Sequence, residues 1–208
     1  MKEHFGLYLI LTDPAAGYET TAKAAVECGI RYLQLRMKDA PRDEAIRMAK
    51  TLRGITAGTE TRFIVNDDIE VAMACDADGI HLGQGDMPLA QARARWNQPG
   101  KIYGLSTHSL EQAEKALQEK PDYIGIGPVF PTATKKDHDP ALGIAETARI
   151  AREIPLTSVA IGGITPENLP ELLNAGVGNF CVVGAVNAQP DPKTAILNLR
   201  KIWESHAF

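Results

Sequence analysis

Short apolar runs recur along the chain, separated by longer stretches in which apolar residues return every three or four positions. The first pattern is that of strands and the second that of helices packed on one face. In order, the predicted strands are Gly6–Thr12, Tyr32–Arg36, Arg62–Asn66, Gly79–Leu82, Ile102–Leu105, Tyr123–Ile126, Ser158–Ile161 and Asn179–Val183. The predicted helices are Tyr18–Cys28, Arg42–Ile55, Ile69–Cys75, Leu89–Trp96, Leu110–Gln118, Ala145–Glu153, Pro166–Asn174 and Thr194–Ser205. Glycine follows a small or acidic residue at Cys28-Gly29, Asp78-Gly79 and Ala175-Gly176, as expected where a helix ends in a left-handed cap. Ser109 before Leu110 and Thr165 before Pro166 read as helix starts.

Strict alternation of strand and helix demands a parallel sheet, and eight βα units in 208 residues predict an α/β fold, a (β/α)8 TIM barrel forming a single domain over 1–208. The rival is an open flavodoxin-like sheet of fewer strands. A barrel gathers its functional side chains just after the C-terminal ends of the strands.

Composition narrows the partners. With 44% hydrophobic and 23% charged residues, and no apolar run near the ~18–20 needed to cross a bilayer, the chain reads as a soluble globular protein. Its N-terminus lacks the pattern of a cleaved leader, so a cytoplasmic location is expected. A net charge of −4 without a basic cluster points away from nucleic acid. Small molecules are the expected ligands. Cys28, Cys75 and Cys181 belong to no paired motif and read as buried small hydrophobes.

The chemistry begins in the second strand. Gln34, Arg36 and Lys38 alternate with Leu33, Leu35 and Met37, so one face carries two cations. A cation withdrawn from water is costly unless an anion meets it, so this face suits phosphate; an exposed edge strand would show the same alternation. The third strand ends in Asn66-Asp67-Asp68, and the loop after the fourth holds Gln84 and Asp86. Asp67 and Asp86, brought close by adjacent strands, can serve as an acid/base pair, a Mg²⁺ site or two helix N-caps. Beside Arg36 and Lys38, the Mg²⁺ reading acquires a diphosphate ligand. His81 reads as packed rather than metal-binding, and Gln84 as contacting a ligand or orienting Asp86.

After the sixth strand, Thr132, Thr134, Lys135, Lys136 and Asp137 form a polar loop of lid-like composition, with Lys135 the expected inward cation; a solvated surface loop is the plainer reading. Gly162-Gly163 and Val183-Gly184 end the last two strands, where glycine lets backbone N–H groups approach a phosphomonoester. Two phosphorylated ligands suggest a condensation.

The stretches Gln34-Leu35-Arg36-Met37-Lys38, Val65-Asn66-Asp67, Ala77 to Asp86, Gly104 to His108, Gly127 to Lys136 and Ala160 to Ile164 resemble the thiamine phosphate synthase family, in order and nearly end to end. The resemblance implies a transferase that condenses 4-amino-2-methyl-5-hydroxymethylpyrimidine diphosphate with 4-methyl-5-(2-phosphooxyethyl)thiazole to give thiamine phosphate. By motif, Gln34, Arg36, Lys38, Asn66, Ser106 and Lys135 would hold the pyrimidine diphosphate, with Leu35 and Met37 in the same stretch. Thr132, Ala133, Thr134, Gly163, Val183 and Gly184 would hold the thiazole phosphate, and Asp67 and Asp86 the Mg²⁺ cofactor. Arg36, Lys38, Ser106 and Lys135 are the implied catalytic residues, acting as the C–O bond to diphosphate breaks before the thiazole nitrogen captures the pyrimidine methyl cation. Gly184 departs from the serine usual in that loop. The related alternatives are a thiazole tautomerase, expected to lack the carboxylate pair and the Thr-x-Thr-Lys loop, and a non-catalytic barrel that binds thiazole phosphate.

Overall fold

In the computed structural model, which describes residues 2–132 and 140–206, the strands follow one another in sequence order around a closed parallel barrel. They are β1 (Leu7–Leu11), β2 (Tyr32–Leu35), β3 (Arg62–Asn66), β4 (Gly79–Leu82), β5 (Ile102–Thr107), β6 (Tyr123–Ile126), β7 (Thr157–Ile161) and β8 (Phe180–Val182). The helices are α1 (Tyr18–Glu27), α2 (Arg42–Thr56), α3 (Ile69–Ala74), α4 (Leu89–Arg95), α5 (Leu110–Glu119), α6 (Gly143–Glu153), α7 (Leu169–Asn174), α8 (Gly184–Asn187) and α9 (Pro192–Glu204). Pairing of β1 with β8, Tyr8 opposite Cys181, closes the ring and removes the open-sheet alternative. Among the described residues no helix is long and apolar enough to cross a membrane.

The period-two pattern of the strands sorts their side chains into two layers. Leu9, Leu33, Phe63, Leu82, Ile124 and Phe180 point outward and are buried against the helices. Tyr8, Ile10, Tyr32, Ile64, Tyr123, Val159 and Cys181 fill the barrel itself. All three cysteines are free and buried. Inside, the Tyr8 and Tyr32 rings stack at 5.4 Å between centroids, and Tyr123 tilts against Tyr8 at 5.7 Å. Gly104 makes room for this cluster: a Cβ there would lie 2.2 Å from Tyr123 Cζ and 2.6 Å from His81 Nδ1.

At the opposite end from the mouth, Asn179 ties the two ends of the ring together. Its Oδ1 accepts from the Phe5 N–H at 2.7 Å and the Gly6 N–H at 3.2 Å, while Nδ2 donates to Glu3 O at 2.7 Å and Ser158 O at 3.2 Å. Every hydrogen-bonding position of this buried amide is engaged, as burial requires.

Several boundaries differ from the sequence reading, each for a local reason. Strand β2 stops at Leu35, and β8 begins after Asn179, whose side chain has the separate task just described. Helix α7 starts at Leu169 rather than Pro166, because Asn168 Oδ1 takes the Thr165 N–H and holds the intervening residues in a turn. Gly29 and Gly176 adopt the left-handed cap, whereas after α3 that conformation falls on Asp76. Gly79 instead opens β4, where a Cβ would meet Ile102 O at 2.2 Å. Ser109 caps α5 as expected, accepting from the Gln112 N–H. The short α8 lies outside the predicted elements.

Candidate active site at the barrel mouth

The first strands aim the basic stretch. The Arg36 N–H donates to Leu11 O at 2.9 Å and Thr12 Oγ1 donates to Arg36 O at 2.8 Å, so β1 fixes the backbone from which the guanidinium departs. Among the described residues no carboxylate pairs with that guanidinium. Lys38 lies beyond the end of β2 and reaches Asp67 Oδ2 at 3.0 Å.

Asp67 follows the last residue of β3 in a left-handed conformation, φ 60°, and its N–H donates to His81 O at 2.9 Å, continuing the β3–β4 ladder by one step. Asp68, not Asp67, caps α3, accepting from the Glu70 and Val71 N–H groups and pairing with Arg42. Asp86 accepts from the Gly83 N–H at 2.6 Å and closes the turn after β4, while α4 begins after Pro88 without a side-chain cap. The helix-cap reading of Asp67 and Asp86 is therefore removed.

The two carboxyls hydrogen-bond to one another. Burial first, then Asp86 alongside, pushes the Asp67 carboxyl up to about 6, with Lys38 pulling the other way. Burial would raise Asp86 as well, but the hydrogen bond from Asp67, the Gly83 N–H and Lys38 together hold it below its ordinary value. One proton thus rests on Asp67 in mildly acidic solution and leaves near neutrality, giving two adjacent carboxylates and one lysine. Among the described residues no group of three or more His, Cys, Asp or Glu is arranged around a metal. A paired-carboxylate set short of positive charge nevertheless suits Mg²⁺, which takes one or two carboxylates and completes its shell with water and phosphate oxygens.

A cavity of about 450 Å³ opens where the ends of β2 and β3 meet α2 and α3, lined by the polar Lys38, Arg42, Asn66, Asp67 and Asp68 and by apolar side chains such as Leu35, Met37 and Val65; Asp67 lines it and Asp86 does not. Gln34 points instead into the barrel, 1% exposed, and Nε2 donates to Tyr8 Oη at 2.8 Å. Ser106, near the end of β5, meets His81 Nε2 at 2.9 Å, and His81 Nδ1 meets Tyr123 Oη at 3.0 Å. Both ring nitrogens of His81 are thereby engaged, in keeping with a packed imidazole, and burial lowers its pKa to about 4, so the ring is neutral. Gln84 makes no hydrogen bond to Asp86 among the described residues; its Nε2 donates to the Ser106 carbonyl, tying the β4 loop to β5.

The Gly162-Gly163 pair has a second reason to be glycine. The segment after β6 runs alongside β7, the Val129 N–H donating to Ile161 O and the Phe130 N–H to Gly162 O. Gly163 sits at φ 65°, and a Cβ there would lie 2.6 Å from Pro131 O. Thr132, half-buried, ends the described part of this loop; Ala133, Thr134, Lys135, Lys136 and Asp137 lie outside the described residues. Val183 precedes α8 and Gly184 is its first residue. A Cβ on Gly184 would have nothing within 4 Å, so a serine hydroxyl has space there.

Sequence reasoning missed Tyr8 and Tyr123. Each sits at an inward position of an apolar strand, where the ring alone accounts for its presence; the hydroxyl is the signal that a buried partner has to exist.

A sequence profile described as thiamine monophosphate synthase matches residues 7–186. A thiamine-phosphate synthase of Pyrococcus horikoshii is 41% identical over 203 residues, covering 98% of this chain and 97% of that one. One from Archaeoglobus fulgidus is 39% identical over 201 residues, covering 96% and 93%. The solved structure of a thiamine phosphate pyrophosphorylase from Pyrococcus furiosus superposes with a TM-score of 0.86 at 36% identity, covering 97% of this chain and 96% of that one.

Proposed function

This chain belongs to the thiamine monophosphate synthase family, and from that membership we propose that it joins 4-amino-2-methyl-5-hydroxymethylpyrimidine diphosphate to 4-methyl-5-(2-phosphooxyethyl)thiazole, giving thiamine phosphate and diphosphate. The observation that carries the reading is the Asp67–Asp86 pair with Lys38 Nζ 3.0 Å from Asp67 at the strand ends, a set of charges that suits a metal-bound polyanion. The bond between the pyrimidine methylene carbon and oxygen breaks, its electron pair leaving with diphosphate, and the thiazole nitrogen lone pair forms the new C–N bond. No side-chain nucleophile or strong base is needed for that balance.

Mg²⁺, held by Asp67 and Asp86, would offset the charge gathering on the departing diphosphate. Arg36 binds the same oxygens directly, and Lys38, held beside them by Asp67, adds a second charge-assisted donor. Lys135 is proposed to bind the diphosphate with them. Asn66, Gln34 and Ser106 are proposed to hold the pyrimidine end. Thr132, Ala133 and Thr134, with the main chain at Gly163, Val183 and Gly184, are proposed to receive the thiazole phosphate, with α8 bringing its N-terminal N–H groups to that side. The barrel interior is filled with tyrosine and aliphatic side chains, which keeps water away from the cation formed as diphosphate leaves. The reading carries with it the cytoplasmic location expected from the sequence.

Incubating the protein with both substrates, with and without Mg²⁺, tests the proposal. Thiamine phosphate and diphosphate are expected in equal amounts with metal present; no product under that condition overturns it. Arg36→Ala removes one charge-assisted contact worth about 1.5–3 kcal/mol, and is expected to slow turnover by roughly one to two powers of ten. Unchanged kcat and KM in that variant would show that the guanidinium faces solvent rather than substrate.

A further inference from the structure

Gln34 and Ser106, on β2 and β5, stand at the two ends of one hydrogen-bond chain that crosses the barrel interior. Gln34 Nε2 meets Tyr8 Oη at 2.8 Å, Tyr8 Oη meets Tyr123 Oη at 2.8 Å, Tyr123 Oη meets His81 Nδ1 at 3.0 Å, and His81 Nε2 meets Ser106 Oγ at 2.9 Å. Each link has one proton, and among the described residues each tyrosine hydroxyl meets only the two groups on either side of it, so the direction of the first link decides all the others. An amide nitrogen can only donate. Tyr8, having accepted from it, gives its proton to Tyr123, and Tyr123 gives its own to His81 Nδ1. The imidazole then carries its proton on Nε2 and donates to Ser106 Oγ, which leaves the serine O–H to point elsewhere. At the other end, Gln34 Oε1 is buried and has no partner among the described residues.

We propose that Tyr8, Tyr123 and His81 are positioning residues that lock Gln34 and Ser106 into opposite roles, Gln34 presenting an acceptor and Ser106 a donor to the substrate. Turning the amide over would reverse every link: Ser106 would have to give its proton to His81, and the imidazole would have to carry its own on Nδ1. The two ends switch together or not at all. The chain is electrically neutral through the physiological range, since burial lowers His81 and raises both tyrosines, so the count of one proton per link holds. Because the inference rests on the reading that a pyrimidine with an exocyclic amine binds here, it also assigns the polarity of each contact: Gln34 Oε1 takes a proton donor such as that amine, and the Ser106 O–H meets an acceptor. A buried unpaired acceptor is costly, and an amine that satisfies it is selected over a substituent that cannot donate.

The test begins on the substrate-free protein, where the ring-nitrogen shifts of His81, assigned with His81→Gln, report which nitrogen carries the proton. The Nε2–H form is expected in the parent. In Tyr8→Phe a population of the Nδ1–H form is expected to emerge, although Tyr8 makes no hydrogen bond to His81; Tyr123→Phe is expected to do the same. An Nδ1–H parent, or a His81 spectrum unchanged in Tyr8→Phe, overturns the proposal. In steady state, Tyr8→Phe is expected to raise KM for the pyrimidine diphosphate about tenfold and leave KM for the thiazole phosphate within about twofold. Equal rises in both would reduce Tyr8 to packing and also overturn it. Because the ring-nitrogen measurement uses no substrate, failure of the synthase reading leaves that result standing and is told apart from failure of the chain.

Discussion

Asp67→Asn is expected to lose Mg²⁺-stimulated turnover, a fall of about two to three powers of ten, while folding at least as firmly as the parent. Asparagine is the informative replacement because residue 67 sits at φ 60°, a left-handed conformation that asparagine tolerates and alanine resists. The stability half of the expectation follows from the proton. The carboxyl is pushed up to about 6 from its ordinary value of 3.8, so the native state holds that proton more tightly than the unfolded chain does. Ionisation therefore costs stability as the pH rises from about 4 to about 6, and the cost is complete above that window. Removing the carboxylate should raise Tm above pH 6 in the absence of metal and leave it unchanged below pH 4. Parent-like metal-stimulated turnover in the variant would show that Asp67 has no part in holding the ion. A lower Tm above pH 6 would show that its pairing with Lys38 outweighs the repulsion from Asp86.

Gly104→Ala is expected to destabilise the barrel by about 3 kcal/mol, the upper range for overpacking a close-packed interior. For a domain of this size that corresponds to a fall in Tm of roughly 10 °C, read by thermal unfolding. The reason is the 2.2 Å that would separate the new Cβ from Tyr123 Cζ, with His81 Nδ1 only 2.6 Å away. Neither ring can retreat without breaking the hydrogen bond between them. A Tm within about 2 °C of the parent would mean that the interior has slack the packed rings do not show.

The barrel was legible in the chain because each of its signals is local. Ser109 before α5 and the glycines at 29 and 176 are decided by their immediate neighbours, and they mark the joints correctly. The position of the carboxylates was also legible, since residues that follow adjacent strands of a parallel barrel must be neighbours, and Asp67 does meet Asp86. Whether either carboxylate caps a helix could not be read from order alone. Asp67 and Asp68 are equally placed to cap α3, and only the backbone turn at Asp67 hands that task to Asp68. The late start of α7 has the same character, a competition between backbone and side-chain acceptors that Asn168 wins. Least legible was the tyrosine chain. Tyr8 and Tyr123 stand 115 residues apart on strands that are not neighbours in the sheet, and their hydroxyls meet only because both point to the axis.

The amide of Asn179 also sets an order of events. Its partners at Phe5 and Gly6 lie 174 and 173 residues upstream, so the first strand acquires its second neighbour only after nearly the whole chain has been made. Until then β1 has one free edge, and a growing polypeptide on the ribosome must carry it exposed or shielded. The same stitch means that a gene rearranged to begin elsewhere in the ring, with the old ends joined by a short linker, would bring the partners of this long-range contact much closer along the chain. Such a permuted chain would still have one seam closed last, at whichever strand pair the new ends separate, so the task of shielding a free edge would pass from β1 to another strand.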